Sequence, residues 1–383
     1  MSDGRVSFRD QGDPGPRDAA PSAPSAQAER TERVKAAARR LGFHAVGVAR
    51  ADVAIDLDIE RYDGFVAAGM HGEMEFLARN RDARARMDDE GMLAGAKSVV
   101  CVARRYPRRP PPTESAGVGQ NIALYARGRD YHRFLRRRVR RLAAFLRTFD
   151  ATDQGPVRAR PLCDEEPILE RVWAARAGLG FVGKNGLLIV PGVGSMVLLA
   201  EVVTTLELTP DAPIAERCGT CTRCLDACPT KAFVKPFVLD PRRCVAYLTI
   251  EHRSAIPAEL AVPLGSHLFG CDDCQTVCPF NAGVGARASA PDADGDPFAP
   301  LERWSRTTLE DFLAADDAAW RGLSEGTPLK RAGRASIARN AAIVLGNRGA
   351  AASLPALHAA AQNHDDARVR EAARAAIDRI GSR

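Results

Sequence analysis

The sequence Cys218-x2-Cys221-x2-Cys224-x3-Cys228-Pro229 is followed by Cys244 and then by Cys271-x2-Cys274-x3-Cys278-Pro279. Eight of the chain's ten cysteines fall within these 61 residues. In two-cluster ferredoxins, a run of this kind places three thiolates on one iron–sulfur cube, while the fourth cysteine, which precedes proline, ligates the other cube. The spacing therefore predicts two 4Fe–4S clusters and a module that transfers single electrons.

The same logic assigns four cysteines to each cluster. The first set is Cys218, Cys221, Cys224 and Cys278, and the second is Cys228, Cys244, Cys271 and Cys274. The second run lacks its first cysteine, so Cys244 has to fold back to complete the set. Structural zinc favours two separate Cys-x2-Cys pairs. Disulfide frameworks are typical of small secreted chains, and we see no apolar N-terminal segment that would direct export.

Length and composition restrict the remaining possibilities. A chain of 383 residues is expected to form two or three domains, so it is more than a ferredoxin. No apolar run approaches the roughly twenty residues that span a bilayer, which predicts a soluble, cytoplasmic protein without a membrane partner. The net charge of +6 leaves nucleic-acid binding open, since charge alone does not decide it.

Sequence patterns divide the chain into four parts. Residues 1–28 are rich in Pro, Ala and Ser and are expected to form a disordered tail. Residues 29–208 alternate helical and strand-like segments, such as a helix at 28–41 and a buried strand at 98–102, and predict an α/β domain. Residues 209–290 form the ferredoxin-like module with its two clusters. A linker and an all-α region follow at 291–383, where the last two helical segments are similar to a HEAT repeat.

Several motifs in a fixed order resemble those of one enzyme family. They are Tyr125-Ala-Arg-Gly-Arg-Asp130-Tyr131-His132, Cys163-Asp164-Glu-Glu-Pro167-Ile-Leu-Glu170-Arg171, Ala177-Gly178-Leu179-Gly180-Phe-Val-Gly183-Lys184-Asn185 and Gly270-Cys-Asp272-Asp273-Cys-Gln275. Together with the cluster module, they resemble the epoxyqueuosine reductases, cobalamin and iron–sulfur enzymes that finish queuosine synthesis in transfer RNA. The resemblance covers nearly all of the chain after the predicted tail.

The resemblance implies a reaction, its cofactors and its partners. The expected reaction removes the epoxide oxygen of epoxyqueuosine at the wobble position of tRNA, and it uses cob(I)alamin that is reduced through the two clusters. The residues 29–208 then form a cobalamin-binding catalytic domain. The expected partners are a tRNA anticodon stem-loop that carries epoxyqueuosine and a low-potential electron donor of unknown identity. A monomer is expected.

The resemblance also implies roles for individual residues. Asp164 matches the family's proton donor, and a donor is expected to have a pKa raised toward neutrality by burial. The other interpretation is that Asp164 caps the helix that follows Pro167. His132 is expected to be structural or to face RNA. Polar contacts with cobalamin are expected from Arg86, Tyr131, Asp164, Lys184, Ser195, Asp272 and Asp273.

The basic residues of the helical tail have two interpretations. They are a cradle for RNA or part of a plain stabilising cap. The candidate RNA contacts are Lys330, Arg331, Arg334 and Arg339.

Three competing functions stay open at the level of sequence. A reductive dehalogenase uses the same pair of cofactors on small organohalides. A non-catalytic iron–sulfur protein would only transfer electrons. An RNA-binding adaptor would keep its affinity for RNA without the cluster cysteines.

Overall fold

The computed structural model describes residues 25–106, 117–151, 153, 155–282 and 296–382. The strands are β1 (Ala45–Arg50), β2 (Ser98–Arg105), β3 (Ala159–Leu162), β4 (Phe181–Val182), β5 (Leu188–Ile189), β6 (Val197–Thr204), β7 (Phe233–Lys235) and β8 (Val238–Leu239). The helices of the first half are α1 (Ala26–Arg40), α2 (Asp56–Ala67), α3 (Glu75–Ala78), α4 (Arg81–Ala85), α5 (Tyr131–Leu146) and α6 (Glu170–Arg176). Those of the second half are α7 (Arg223–Asp226), α8 (Val245–Ile250), α9 (Ala258–Ala261), α10 (Asp273–Thr276), α11 (Arg303–Arg306), α12 (Leu309–Ala314), α13 (Asp317–Ser324), α14 (Arg334–Arg348), α15 (Leu354–Asn363) and α16 (Ala367–Gly381).

A four-stranded sheet forms the centre of the N-terminal half. Its strand order is β1-β2-β6-β3, and every neighbouring pair is antiparallel. β2 is apolar along most of its length because both of its faces are covered. Val100 and Val102 pack on one side with α1 and α5, whereas Cys101 packs on the other side with α6. Cys101 is therefore a core residue, as the sequence predicts.

The C-terminal half is built from loops and helices. The cysteine-rich segment holds only short elements, from α7 to α10, because metal ligation loops replace long helices there. α14 packs against α12 and α16, and its buried side chains share one core with Phe269 and Trp304. The cluster segment and the helical tail are thus joined by a continuous hydrophobic core.

The broad expectations for the fold are confirmed, with one correction. The chain is mixed α/β with a helical C-terminal region, as predicted. Residues 26–28, predicted to be disordered, are the first turn of α1, which Ser25 caps by accepting the amide of Ala28. Residues 1–24 of the predicted tail and the first residues of the linker, up to 295, lie outside the described residues. No described helix is long and apolar enough to cross a membrane.

A buried polar network attaches the cluster segment to the sheet. The side chain of Asn281 accepts the backbone amide of Ser195 at 2.8 Å and donates to the hydroxyl of Ser195 at 3.0 Å. That hydroxyl donates to Gln275 at 3.1 Å, and Gln275 in turn donates to the hydroxyl of Tyr106 at 3.2 Å. At Gly194, a Cβ atom would lie 2.1 Å from Asn281, so the fit tolerates only glycine. We call Tyr106, Ser195, Gln275 and Asn281 the docking network.

Candidate active site

The first group of cluster cysteines is brought together. Cys218, Cys221, Cys224 and Cys278 line one cavity with Lys184 and Asn185. Asn185 is 4% exposed, and its Nδ2 atom lacks a hydrogen-bond partner among the described residues. A buried N–H group that faces a cavity lined by thiols fits an iron–sulfur cluster, because the sulfurs of such clusters accept hydrogen bonds.

Lys184 uses two of its three donors on the protein backbone. Its ammonium group donates to the carbonyl oxygens of Gly219 and Cys221, at 2.5 and 3.0 Å. The side chain therefore fixes the loop that presents the first cluster cysteines, and its contact with cobalamin stays a prediction.

Three cysteines of the second group lie close together. The thiols of Cys228, Cys244 and Cys274 lie within electrostatic range of one another, and Cys224 of the first group is also within range of Cys274. Cys271 belongs to the same short run as Cys274. Cys244 directly precedes α8 and folds back toward Cys228, as the truncated second run requires. Both predicted sets of cysteines are compatible with the structure.

The two aspartates between these cysteines have separate environments. Asp272 accepts the backbone amide of Leu124 at 2.7 Å, and burial raises its pKa. Asp273 accepts a hydrogen bond from His267 at 3.2 Å. Asp272 therefore ties the second cluster segment to the loop that leads into the catalytic region.

Asp164 lies on a strained loop after β3. Its φ of +66° is in the left-handed region, which aspartate and asparagine tolerate better than most residues. Glu166 accepts the amide of Cys163 at 2.8 Å, and Glu170 accepts the amide of Asp164 at 3.2 Å. The helix α6 begins only at Glu170, so the interpretation of Asp164 as a helix cap is wrong. Strain of this kind, held by side-chain hydrogen bonds, is typical of functional loops.

The imidazole of His132 bridges two carboxylates. Its Nδ1 lies 2.6 Å from Asp130, which also caps α5, and its Nε2 lies 2.6 Å from Asp164. Both ring nitrogens therefore carry protons, since each faces a carboxylate oxygen. Tyr131 donates a further hydrogen bond to Asp164 at 3.1 Å. We call Asp130, His132 and Asp164 the proton triad.

The proton of this triad resides on His132. Burial would lower the pKa of His132, but the hydrogen bonds to Asp130 and Asp164 outweigh it and raise the pKa from 6.5 to about 9. Burial would raise the pKa of Asp164, yet the hydrogen bond and charge of His132 hold it below its usual value. The predicted elevation of the Asp164 pKa is therefore wrong for this state of the protein. The sequence did not indicate that His132 is a partner of Asp164. Its position two residues after Asp130, which caps the helix, was the one signal that its ring could pair with a carboxylate.

Two further carboxyl groups lie beneath the loop. Burial and the negative charge of Asp164 raise the pKa of Glu170 to about 7. Glu201, on β6, is fully buried, and neither of its carboxyl oxygens has a hydrogen-bond partner among the described residues. Burial raises the pKa of Glu201 well above its usual range, so this side chain is neutral.

Tyr125 lies between the second cluster segment and Asp164. Its ring contacts Tyr131 and Phe269, with centroids 5.8 and 6.4 Å apart. Burial and then the charges of Asp272 and Asp164 raise its pKa. Its hydroxyl makes no hydrogen bond within the described residues. A phenol without a protein hydrogen-bond partner between these groups, with aromatic rings beside it, fits a large planar ligand with polar edges.

The other residues predicted to contact cobalamin differ in whether their side chains are free to bind a ligand. Ser195 is 4% exposed and its hydroxyl is used in the docking network, which contradicts a contact with the cofactor. Arg86 is exposed and pairs with Asp88. Tyr131 donates to Asp164 of the proton triad, whereas Asp272 and Asp273 lie within the cluster segment.

Of the four residues predicted to contact RNA, two are exposed and two are covered. Lys330 and Arg331 are exposed, and Arg331 pairs with Glu251. Arg334 is largely covered and pairs with Asp317 and Asp365. Arg339 is only 1% exposed and donates to backbone carbonyls that include those of Leu248 and His252. The prediction that Arg339 contacts RNA is therefore wrong, because its guanidinium group is part of the core.

Comparison with known proteins identifies the family. A profile of the 4Fe-4S double cluster binding domain matches residues 217–281, and one described as epoxyqueuosine reductase QueG, DUF1730, matches residues 86–164. An epoxyqueuosine reductase of Gloeobacter violaceus is 42% identical over 83% of this chain and 96% of that protein. The chain belongs to the epoxyqueuosine reductase family. It therefore binds 4Fe–4S clusters and is an oxidoreductase, and membership does not favour the dehalogenase or the simple electron carrier.

Further relatives agree with this assignment. An epoxyqueuosine reductase of Escherichia coli strain K12 is 34% identical over 82% of this chain and 80% of that protein. The crystal structure of an epoxyqueuosine reductase with an epoxyqueuosine-modified tRNA-Tyr stem loop has a TM-score of 0.81 and 31% identity. That match covers 92% of this chain and 90% of the other.

The proton triad makes a prediction for pH titration. Because the pKa of His132 is raised in the folded protein, the stabilisation by the triad is fully present below pH 6.5 and is lost as the pH rises through about 9. NMR titration of the His132 ring should give a midpoint near 9, and the substitution Asp164→Asn should lower it because one negative partner is removed. A midpoint at or below 6.5 in the unsubstituted protein would contradict the triad.

Proposed function

We propose that this protein reduces epoxyqueuosine to queuosine at the wobble position of tRNA. The observation that carries the proposal is the placement of the proton triad beside the segment that holds Cys271 and Cys274, with Tyr125 between them. This arrangement brings a proton source and an electron source to one place. The reaction agrees with the family to which the chain belongs.

Both cofactors have candidate residues. We assign the first cluster to Cys218, Cys221, Cys224 and Cys278, and the second to Cys228, Cys244, Cys271 and Cys274. Cobalamin, when bound, supplies a strongly reducing cobalt centre that opens the epoxide. Tyr125, Tyr131, Asp272 and Asp273 are the residues that would hold it. Tyr125 is close to the charges of Asp272 and Asp164, Tyr131 donates to Asp164, and Asp273 follows Asp272 in the cluster segment.

The proton triad supplies the acid. Removal of the epoxide oxygen as water takes two electrons and two protons, so the site needs a proton at the oxygen that leaves. Asp164 presents its Oδ2 atom, and Nε2 of His132, which holds the proton, lies 2.6 Å from that oxygen. Transfer from His132 to Asp164 and on to the oxygen needs no rearrangement of the backbone. Glu170, with its pKa near 7, is a nearby source for recharging the triad.

RNA binding is assigned to the exposed edge of the helical tail, which we interpret as a HEAT-like unit. Arg331 lies near the loop of Asp164, since its charge helps to lower the pKa of Asp164, and the exposed Lys330 precedes Arg331 in the chain. A phosphate bound there would place the modified nucleoside near the triad. We expect the enzyme to act as a monomer in the cytoplasm, where its tRNA substrate occurs.

The reaction is tested by an anaerobic assay. Reduced, cobalamin-loaded protein should convert an epoxyqueuosine-containing anticodon stem-loop to queuosine, detected by mass spectrometry as the loss of one oxygen. The Asp164→Asn variant keeps a side chain that tolerates positive φ, so it should retain its clusters and corrinoid spectrum. It should lose turnover by about 100-fold or more, as expected for a general acid. Unchanged turnover in this variant would remove Asp164 from the reaction.

The RNA surface makes a separate prediction. Replacing Lys330 and Arg331 with glutamine should weaken stem-loop binding and reduce the slope of log affinity against log salt by about two, one for each lost phosphate contact. Arg306→Gln is the matched control, since Arg306 is 77% exposed and also pairs with a glutamate. An unchanged slope would mean that the helical tail is only a stabilising cap.

A further inference from the structure

The hairpin formed by β7 and β8 carries exposed apolar side chains beside the clusters. Val234 is 65% exposed and Phe237 is 47% exposed, and they are two of the six large apolar side chains that are exposed in the described residues. The hairpin also carries exposed Lys231 and Lys235. Neither lysine forms an ion pair within the described part of the chain. We call Lys231, Val234, Lys235 and Phe237 the hairpin surface.

The conformation of the hairpin tip keeps one of these side chains in solvent. Phe237 follows Pro236 and has a φ of +69°, which is the position that favours glycine in a type II turn. Lys231 also has a positive φ, of +50°. Two large residues in strained positions at a surface, where glycine would fold more easily, indicate that the side chains themselves are used.

The hairpin surface is connected to both sets of cluster cysteines. At the base of the hairpin, the amide of Ala232 donates to the sulfur of Cys228 at 3.3 Å. At the tip, the amide of Phe237 donates to the carbonyl of Lys184 at 2.9 Å, and the ammonium group of Lys184 holds the loop with Gly219 and Cys221. An electron that arrives at this surface is therefore separated from the cluster ligands by only a few hydrogen bonds.

The charge around the hairpin identifies the kind of partner. Arg223, Arg242 and Arg243 are also exposed, and Arg242 pairs with Asp240. Arg243 lies beside the base of the hairpin, since it donates to the carbonyl of Thr230 at 3.2 Å. A small positive surface with an apolar centre suits a brief encounter with an acidic protein, because charge accelerates association and a small apolar contact lets the partner leave. The RNA candidate Arg331 instead lies near the loop of Asp164.

We propose that the hairpin surface is the docking site for an acidic one-electron carrier protein that reduces the clusters. In each encounter, the reduced cofactor of the carrier loses one electron and a cluster gains it, and no bond forms or breaks. Two encounters supply the two electrons of one epoxide reduction. Only the later use of these electrons, for epoxide reduction, rests on the proposed function. Docking itself can be tested separately, because cluster reduction can be measured without RNA.

Stopped-flow reduction of the cluster-loaded protein tests the docking site, with reduced plant-type ferredoxin, an acidic low-potential carrier, as the probe. The double substitution K231E/K235E should lower the second-order rate at low salt by about tenfold or more and should weaken its dependence on salt. Reduction by dithionite, a small anion that does not need to dock, should change much less. Arg306→Gln is the charge control and should behave like the unsubstituted protein.

The substitution Phe237→Gly distinguishes an effect on docking from an effect on folding. Glycine relieves the positive φ, so the variant should be at least as stable to heat and should retain its clusters. It should nevertheless be reduced more slowly by the ferredoxin, whereas Val262→Ser, which changes another exposed valine, should have no effect. Unchanged rates of cluster reduction by ferredoxin in both hairpin variants would overturn the proposal. A loss of stem-loop affinity without a change in these rates would also overturn it, and would make the surface an RNA contact. Hairpin-dependent cluster reduction without any queuosine formation would instead contradict the proposed function alone.

Discussion

The docking network of Tyr106, Ser195, Gln275 and Asn281 is the interaction on which the rest of the structure depends. It joins the end of β2 and the start of β6 to the segment that carries Cys271, Cys274 and Cys278. All four side chains are at least nine-tenths buried, so their hydrogen bonds are made without competition from water. A partly satisfied network of this kind would be costly, because each unpaired buried group costs about 1–3 kcal/mol. The network therefore fixes one arrangement of the cluster segment relative to the sheet.

This arrangement places the proton triad close to the segment that carries the cluster cysteines. The sheet positions the loop of Asp164, and α5 positions His132 and Asp130, so the proton triad is assembled from elements of the N-terminal half. The cluster segment reaches the same place through Asp272 and the loop of Leu124 and Tyr125. Electrons enter at the hairpin surface in our interpretation, pass through the clusters and leave near Tyr125. A fixed contact between the two halves is needed because electron and proton must reach one substrate.

The sequence predicted the parts that depend on local patterns. The cysteine spacing indicated two clusters because ligand geometry restricts spacing, and the buried strand at 98–102 followed from its run of apolar residues. It did not predict the proton triad, since the contact between His132 and Asp164 joins residues 32 positions apart through the fold. Ser195 and Arg339 were misjudged for a related reason. A polar residue type does not reveal whether its side chain faces solvent or is satisfied inside the core.

The dependence of catalysis on the docking network is measured most directly by a single turnover of pre-reduced, cobalamin-loaded protein on an epoxyqueuosine stem-loop. Gln275→Leu removes the bonds to Ser195 and Tyr106 at similar volume, whereas Thr276→Val changes its exposed neighbour on α10. With the iron content unchanged, we expect Gln275→Leu to form queuosine about tenfold more slowly, since the loss of about 1–3 kcal/mol of docking energy reduces the docked population. Thr276→Val should react at the normal rate. Equal rates for Gln275→Leu and the unsubstituted protein would contradict the role of the network.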